Sequence, residues 1–264
     1  MHADAAPAAA ASAAGAMLAV VAGDSHCLAF DGASNPRHPG LVVRTGFCSA
    51  PEGFFTRTAA RPDAAGVPRA IPLLRDAVAG ALDAVAAPPA SRLVVLALAG
   101  ADSIVETMDT LWQRYDFALP EHPRLFDHAR ERVPAAVVAG WIDRDLAMVL
   151  PAVADLAAAG LGPLAVLPPP PPHRADAALT AYLRGVGIDR FIAPFAVRAK
   201  VAWLYREGLR RICADAGISF VDSWSFAADE LALKPAYEHD GFHANRAFAE
   251  ACVPLIAAAV SAQG

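Results

Sequence analysis

Met17-Leu18-Ala19-Val20-Val21-Ala22-Gly23-Asp24-Ser25-His26 is the stretch on which the reading of this chain turns. An unbroken apolar run without polar alternation reads as a strand buried on both faces. A Gly-Asp-Ser-His turn follows it directly. Glycine permits a tight reversal, and the serine then stands at the carboxyl end of the strand, where open parallel sheets bind their ligands. Outward from this stretch, four more apolar runs read as strands: Leu41–Arg44, Leu93–Leu98, Pro163–Leu167 and Ile218–Val221. Helix-like segments fall between them, over Ile71–Ala86, in several pieces within Ile104–Ala159, and over Ala175–Arg184 and Phe195–Ala216. An amphipathic stretch, Ala244–Ala262, closes the chain. Strands alternating with helices predict an α/β fold, a mainly parallel sheet of five strands covered by helices on both faces.

Composition narrows the function. The chain has 264 residues, 56% hydrophobic, with a net charge of -5. That length supplies one large core, and the expectation is a single domain over residues 17–264. No basic stripe is visible, which argues against nucleic acid as a partner. The cysteines, Cys27, Cys48, Cys213 and Cys252, have no metal-type spacing and are too sparse for a disulfide scaffold. Residues Ala5–Gly23 carry no charge, but their first part is Ala and Pro and no Lys or Arg precedes it. A signal peptide wants a basic start and a strongly apolar centre. Inserting this stretch in a membrane would also remove the strand that presents Ser25. The expectation is an Ala-rich, flexible leader over residues 1–16, a cytoplasmic body with export as the alternative, and no membrane partner. The oligomeric state is not legible.

A serine hydroxyl needs a base to take its proton and donors for the oxyanion that forms after attack. Far downstream stands Asp240-Gly241-Phe242-His243. A spacing of three sets both side chains on one side of a helical turn. A carboxylate on one imidazole nitrogen would then leave the other free to accept the serine proton. Innocent readings exist for both motifs: Ser25 as a helix cap, and Asp240 as the cap of the last helix.

Together the two blocks resemble the first and last blocks of the SGNH/GDSL hydrolases. Gly23-Asp24-Ser25-His26 is similar to the variant with His after Ser, and Asp240-Gly241-Phe242-His243-Ala244-Asn245 to the closing DxxH. The resemblance implies a flavodoxin-like three-layer α/β/α fold with no metal or organic cofactor. It implies Ser25 as nucleophile, His243 as base and Asp240 as its orienting acid. It further implies an oxyanion hole built from the Ser25 N–H, a glycine N–H after the second strand, matched by Gly46, and an asparagine after the third. That asparagine is missing. Gly100-Ala101-Asp102-Ser103 stands in its place, where Asp102 either replaces it or matches the aspartate that usually follows, and Ser103 could donate instead. Members of this variant act on acylated carbohydrates, so the implied substrate is a small-molecule or carbohydrate ester, often O-acetyl. An O-acyltransferase with the same triad, or a non-catalytic carbohydrate binder, are the alternatives.

Other residues carry weaker signals. Arg44, near Gly46, could hold an anionic substrate group or form a loop ion pair. Trp224, after the fifth strand, could pack on a sugar ring or in the core. Cys27 is expected to pack in the first helix. His122 and His128, with Glu121 and Asp127, lack a partner cluster and read as surface residues rather than metal ligands. The run Pro168–Pro172 reads either as a stiff wall at the rim of the site or as an exposed connector or docking strip.

Overall fold

Neighbouring residues of the first strand face two different cores. In the computed structural model, which describes residues 17–48, 60–62, 64–65, 68–70, 72–84, 91–147 and 149–262, Leu18, Val20 and Ala22 point into one cluster and Ala19 and Val21 into another. All five have no exposed surface. This is the two-residue period of a strand buried on both sides. The expected leader over residues 1–16 lies outside the described residues.

The sheet has five strands: β1 (Met17–Gly23), β2 (Leu41–Phe47), β3 (Arg92–Ala97), β4 (Leu164–Leu167) and β5 (Ser219–Phe220). Their order is β2-β1-β3-β4-β5 and every pairing is parallel. That is the flavodoxin-like order. The helices are α1 (Pro72–Asp83), α2 (Gly100–Val105), α3 (Ala135–Leu146), α4 (Val149–Ala158), α5 (Asp176–Gly185), α6 (Phe195–Ala216), α7 (Trp224–Ala227) and α8 (Arg246–Ser261). One face of the sheet is covered by α1, α3, α4 and α6, the other by α8 and the short 3-10 helix Ser25–Phe30. The result is a three-layer α/β/α fold.

β2 runs past the expected Arg44, because Thr45, Gly46 and Phe47 stay in register with Val21, Ala22 and Gly23. Gly23 lies opposite both Phe47 and Ala97, and Ala97 opposite Leu167. The strands therefore end at one level, and the segments that follow them share one edge of the sheet. A small cluster, Ile104 of α2, Met108 just after it, Leu179 and Leu183 of α5 and Phe242, ties the chain's late segment to its middle.

Candidate active site

Ser25 is delivered by backbone contacts. A Cβ on Gly23 would stand 1.9 Å from the Ala97 carbonyl oxygen, so only glycine lets β1 end so close to β3. A Cβ on Gly100 would stand 2.2 Å from the His26 ring, so the start of α2 abuts the same turn. Asp24, not Ser25, caps the 3-10 helix: its Oδ1 accepts the His26 N–H at 3.0 Å. The Ser25 hydroxyl is left for other work.

His243 arrives differently. The segment Glu238–Asn245 is irregular, not the helical turn expected from the spacing, because Gly241 has φ +88°. A Cβ on Gly241 would stand 2.6 Å from the Ala178 carbonyl carbon of α5. The cap of α8 is Asn245, whose side chain accepts the Phe248 N–H and donates to the Ala236 and Glu238 carbonyls. Asp240 folds its own loop instead. Its Oδ1 accepts the N–H groups of Phe242 (3.0 Å) and His243 (2.7 Å).

The two halves meet. His243 Nε2 lies 2.8 Å from Ser25 Oγ, and His243 Nδ1 lies 2.7 Å from Asp240 Oδ2. Partial burial pushes the Asp240 carboxyl up, but its hydrogen bonds from the His243 N–H and ring and the Phe242 N–H outweigh this and hold it at about 2. It is therefore an anion at neutral pH, placed to keep a proton on Nδ1 and leave Nε2 able to accept one. Phe242 stacks on Tyr182 of α5, with ring centroids 5.4 Å apart, and lies 4.6 Å from the His26 ring.

His26, to which the sequence reading gave no role, is the other unusual group. The residue is only half-buried as a whole, yet Nδ1 is buried without a partner. Burial pushes its pKa down to about 4, so it is neutral beside His243. It lines a cavity of about 20 Å³ with Gly100, Ser103, Pro169–Pro172, Phe242 and the buried Arg198.

The other expected site residues are placed as follows. Gly46 lies inside β2 rather than past its end, and its missing Cβ makes room for the Ala77 carbonyl of α1 at 2.7 Å. The Ser103 hydroxyl donates to the Gly100 carbonyl at 2.9 Å, within α2. Asp102 lies in the first turn of α2. Arg44 pairs with Val20 in the sheet, well upstream of Ser25. Trp224 is a core residue: it is 4% exposed and its Nε1–H donates to the Pro169 carbonyl at 2.7 Å, which removes it as a sugar platform. Cys27 is buried as expected, and burial pushes its thiol up to about 12, far from a nucleophile at neutral pH. His128 is exposed, while His122 is half-buried edge-on to Trp203. Among the described residues no group of three or more His, Cys, Asp and Glu is placed to hold a metal ion. None of their helices is long and apolar enough to cross a membrane.

The proline run is a wall. Pro168–Pro171 are buried. The Pro169 carbonyl takes the Trp224 indole, and the Pro172 carbonyl takes the Leu233 N–H at 3.0 Å. His173, which ends the run, and Arg198 of α6 were not singled out from sequence. The only local signal was a histidine directly after five prolines.

No protein-family model matches the chain, and no curated protein matches it. Among solved structures, one from Streptococcus pneumonia described as a platelet activating factor superposes with a TM-score of 0.52 at 13% identity, covering 93% of this chain and 84% of that one. The chain shares the three-layer α/β/α fold of that structure. Two further structures lie lower. One is described as an acylhydrolase from Bacteroides fragilis (TM-score 0.49, 17% identity, 93% of this chain and 87% of that one). The other is a GDSL-like lipase from Bacteroides thetaiotaomicron (0.46, 13%, 94% and 89%). At these identities the likeness is one of fold, and the chemistry has to come from the site's own atoms.

Proposed function

We propose that the chain is a serine esterase cleaving a small acyl ester, an O-acetyl group on a carbohydrate or related polyol among its substrates. One observation carries the reading: Ser25 Oγ and Asp240 Oδ2 stand at 2.8 and 2.7 Å from opposite nitrogens of one imidazole. Ser25 Oγ attacks the ester carbonyl carbon while His243 Nε2 takes its proton. The tetrahedral intermediate collapses, the carbon–oxygen bond to the alcohol breaks, and the imidazolium returns that proton to the leaving oxygen. Water then gives a proton to Nε2 as its oxygen attacks the acyl carbon. The acid leaves, and Ser25 recovers a proton from His243. Asp240 stabilises each imidazolium. Neutral His26 adds no competing positive charge beside it.

The Ser25 N–H is the proposed oxyanion donor. The Ser103 hydroxyl is not assigned to that role, given its bond to the Gly100 carbonyl. The same engagement favours a second reading, a non-catalytic carbohydrate binder.

Hydrolysis of nitrophenyl acetate by the wild type and by Ser25→Ala separates the two. The esterase reading expects turnover that the substitution abolishes. No turnover by the wild type, together with measurable glycan binding, overturns it in favour of the binder. Added sugar acceptors that divert the acyl group from water would show an O-acyltransferase.

A further inference from the structure

We propose that His173 is a positioning residue for the reaction at Ser25, acting through the backbone carbonyl of His243; this rests on the esterase reading above. The His173 ring is 3% exposed, and its Nε2 lies 3.1 Å from the His243 carbonyl oxygen. A carbonyl only accepts, so Nε2 carries the proton. Burial, outweighing the nearby Glu238 and the bond to His243, holds the His173 pKa below its ordinary value. At neutral pH the ring is therefore the neutral Nε2–H tautomer. Its bare Nδ1 sits 3.7 Å from a Glu238 carboxylate oxygen, beyond hydrogen-bonding reach.

His243 needs an outside anchor. Its segment is irregular, and its other main-chain bonds, to the Asp240 side chain and the His239 N–H, stay within the segment. Among the described residues, the His173 ring supplies the hydrogen bond that ties the His243 main chain to a distant element, 70 residues away. His173 is itself fixed. Five prolines precede it, a stiff run whose carbonyls are held by Trp224 and Leu233. Its own carbonyl accepts from Arg198 at 3.0 Å. Arg198, 2% exposed, is held in turn by Asp176 at 2.6 Å and the Ala193 carbonyl at 3.2 Å. The path runs from α6 through the proline wall to the imidazole that meets Ser25. Removing the donor leaves the His243 carbonyl one remaining partner, the His239 N–H. The fold then survives, while the ring loses its fixed depth. Misplacing a reacting group by about 1 Å costs up to ~100-fold in rate.

The test compares His173→Leu, which removes the donor, with His173→Gln, whose amide nitrogen reaches about the place of Nε2. The expected result is a fall in kcat of about 10-fold or more for the leucine variant with KM nearly unchanged, and recovery of most of it by glutamine. Equal kcat for leucine variant and wild type overturns the proposal. So does an equal loss in both variants, the mark of a packing role alone. A second readout stands even if the wild type proves inactive as an esterase: the low-field proton resonance of His243 Nδ1–H bonded to Asp240. It should broaden or vanish in the leucine variant and persist in the glutamine one. An unchanged resonance in the leucine variant overturns the proposal independently of the esterase reading.

Discussion

The serine and the histidine are held by opposite means. Ser25 follows a strand whose every residue from Leu18 to Ala22 is fully buried, and backbone contacts at Gly23 and Gly100 fix its place. His243 sits on an irregular loop, held by side-chain bonds from Asp240, Asn245 and His173 and by the stacking of Phe242 on Tyr182. The sheet sets one partner as rigidly as it sets itself. The other depends on a web of contacts, each worth about 1 kcal/mol net, so perturbations should act on the two halves differently.

The largest expected effect is chemical. Ser25→Ala should lower nitrophenyl acetate hydrolysis by about 10⁴-fold or more with unchanged circular dichroism. Retained hydrolysis would remove the serine half of the comparison. Next comes Asp240→Asn, with a loss of about 10²- to 10⁴-fold. Besides the charge, it disturbs the acceptor that gathers two loop N–H groups, so its loop should also show faster amide exchange than the serine turn does.

The comparison sharpens with paired glycine substitutions. Gly23→Ala forces a methyl against the Ala97 carbonyl and should destabilise the whole fold, by about 3 kcal/mol or more in urea unfolding. Gly241→Ala meets the Ala178 backbone and a left-handed φ, yet the loop can shift. It should cost roughly 1–2 kcal/mol while lowering kcat at least ~10-fold. A larger stability loss for Gly241→Ala than for Gly23→Ala would reverse the account.

A further effect is a pH dependence of stability. The folded state keeps His26 unprotonated down to about 4, whereas the unfolded chain protonates it near its ordinary 6.5. Between those values the unfolded state binds more protons, so stability falls on acidification through that window and levels below it. His26→Asn should flatten that slope in urea midpoints measured between pH 7 and 4. Asp240 acts lower: its folded pKa of about 2 against 3.8 gives stability that is complete above 3.8 and lost toward 2. An unchanged slope in the His26 variant would show that another group carries it.

The fold and the reacting groups were legible because their signals are local. Continuous apolar runs marked the strands, and Gly-Asp-Ser-His and Asp-Gly-Phe-His named the groups that meet. Boundaries failed where pairing overrode composition, as in β2 running on through Gly46. The helical turn assumed for Asp240 and His243 failed because Gly241 takes a left-handed φ, which spacing alone cannot show. Arg44 and Trp224 were placed near the site by chain position. Register puts the first opposite Val20, and the second spends its N–H on Pro169. His26, His173 and Arg198 escaped because their meaning lies in burial and in partners far along the chain.

Reaction with a fluorophosphonate followed by peptide mapping tests the central claim most directly. The account predicts an adduct on Ser25 in the wild type and a sharp loss of labelling in His243→Ala. No adduct on Ser25, or undiminished labelling without the imidazole, would contradict it.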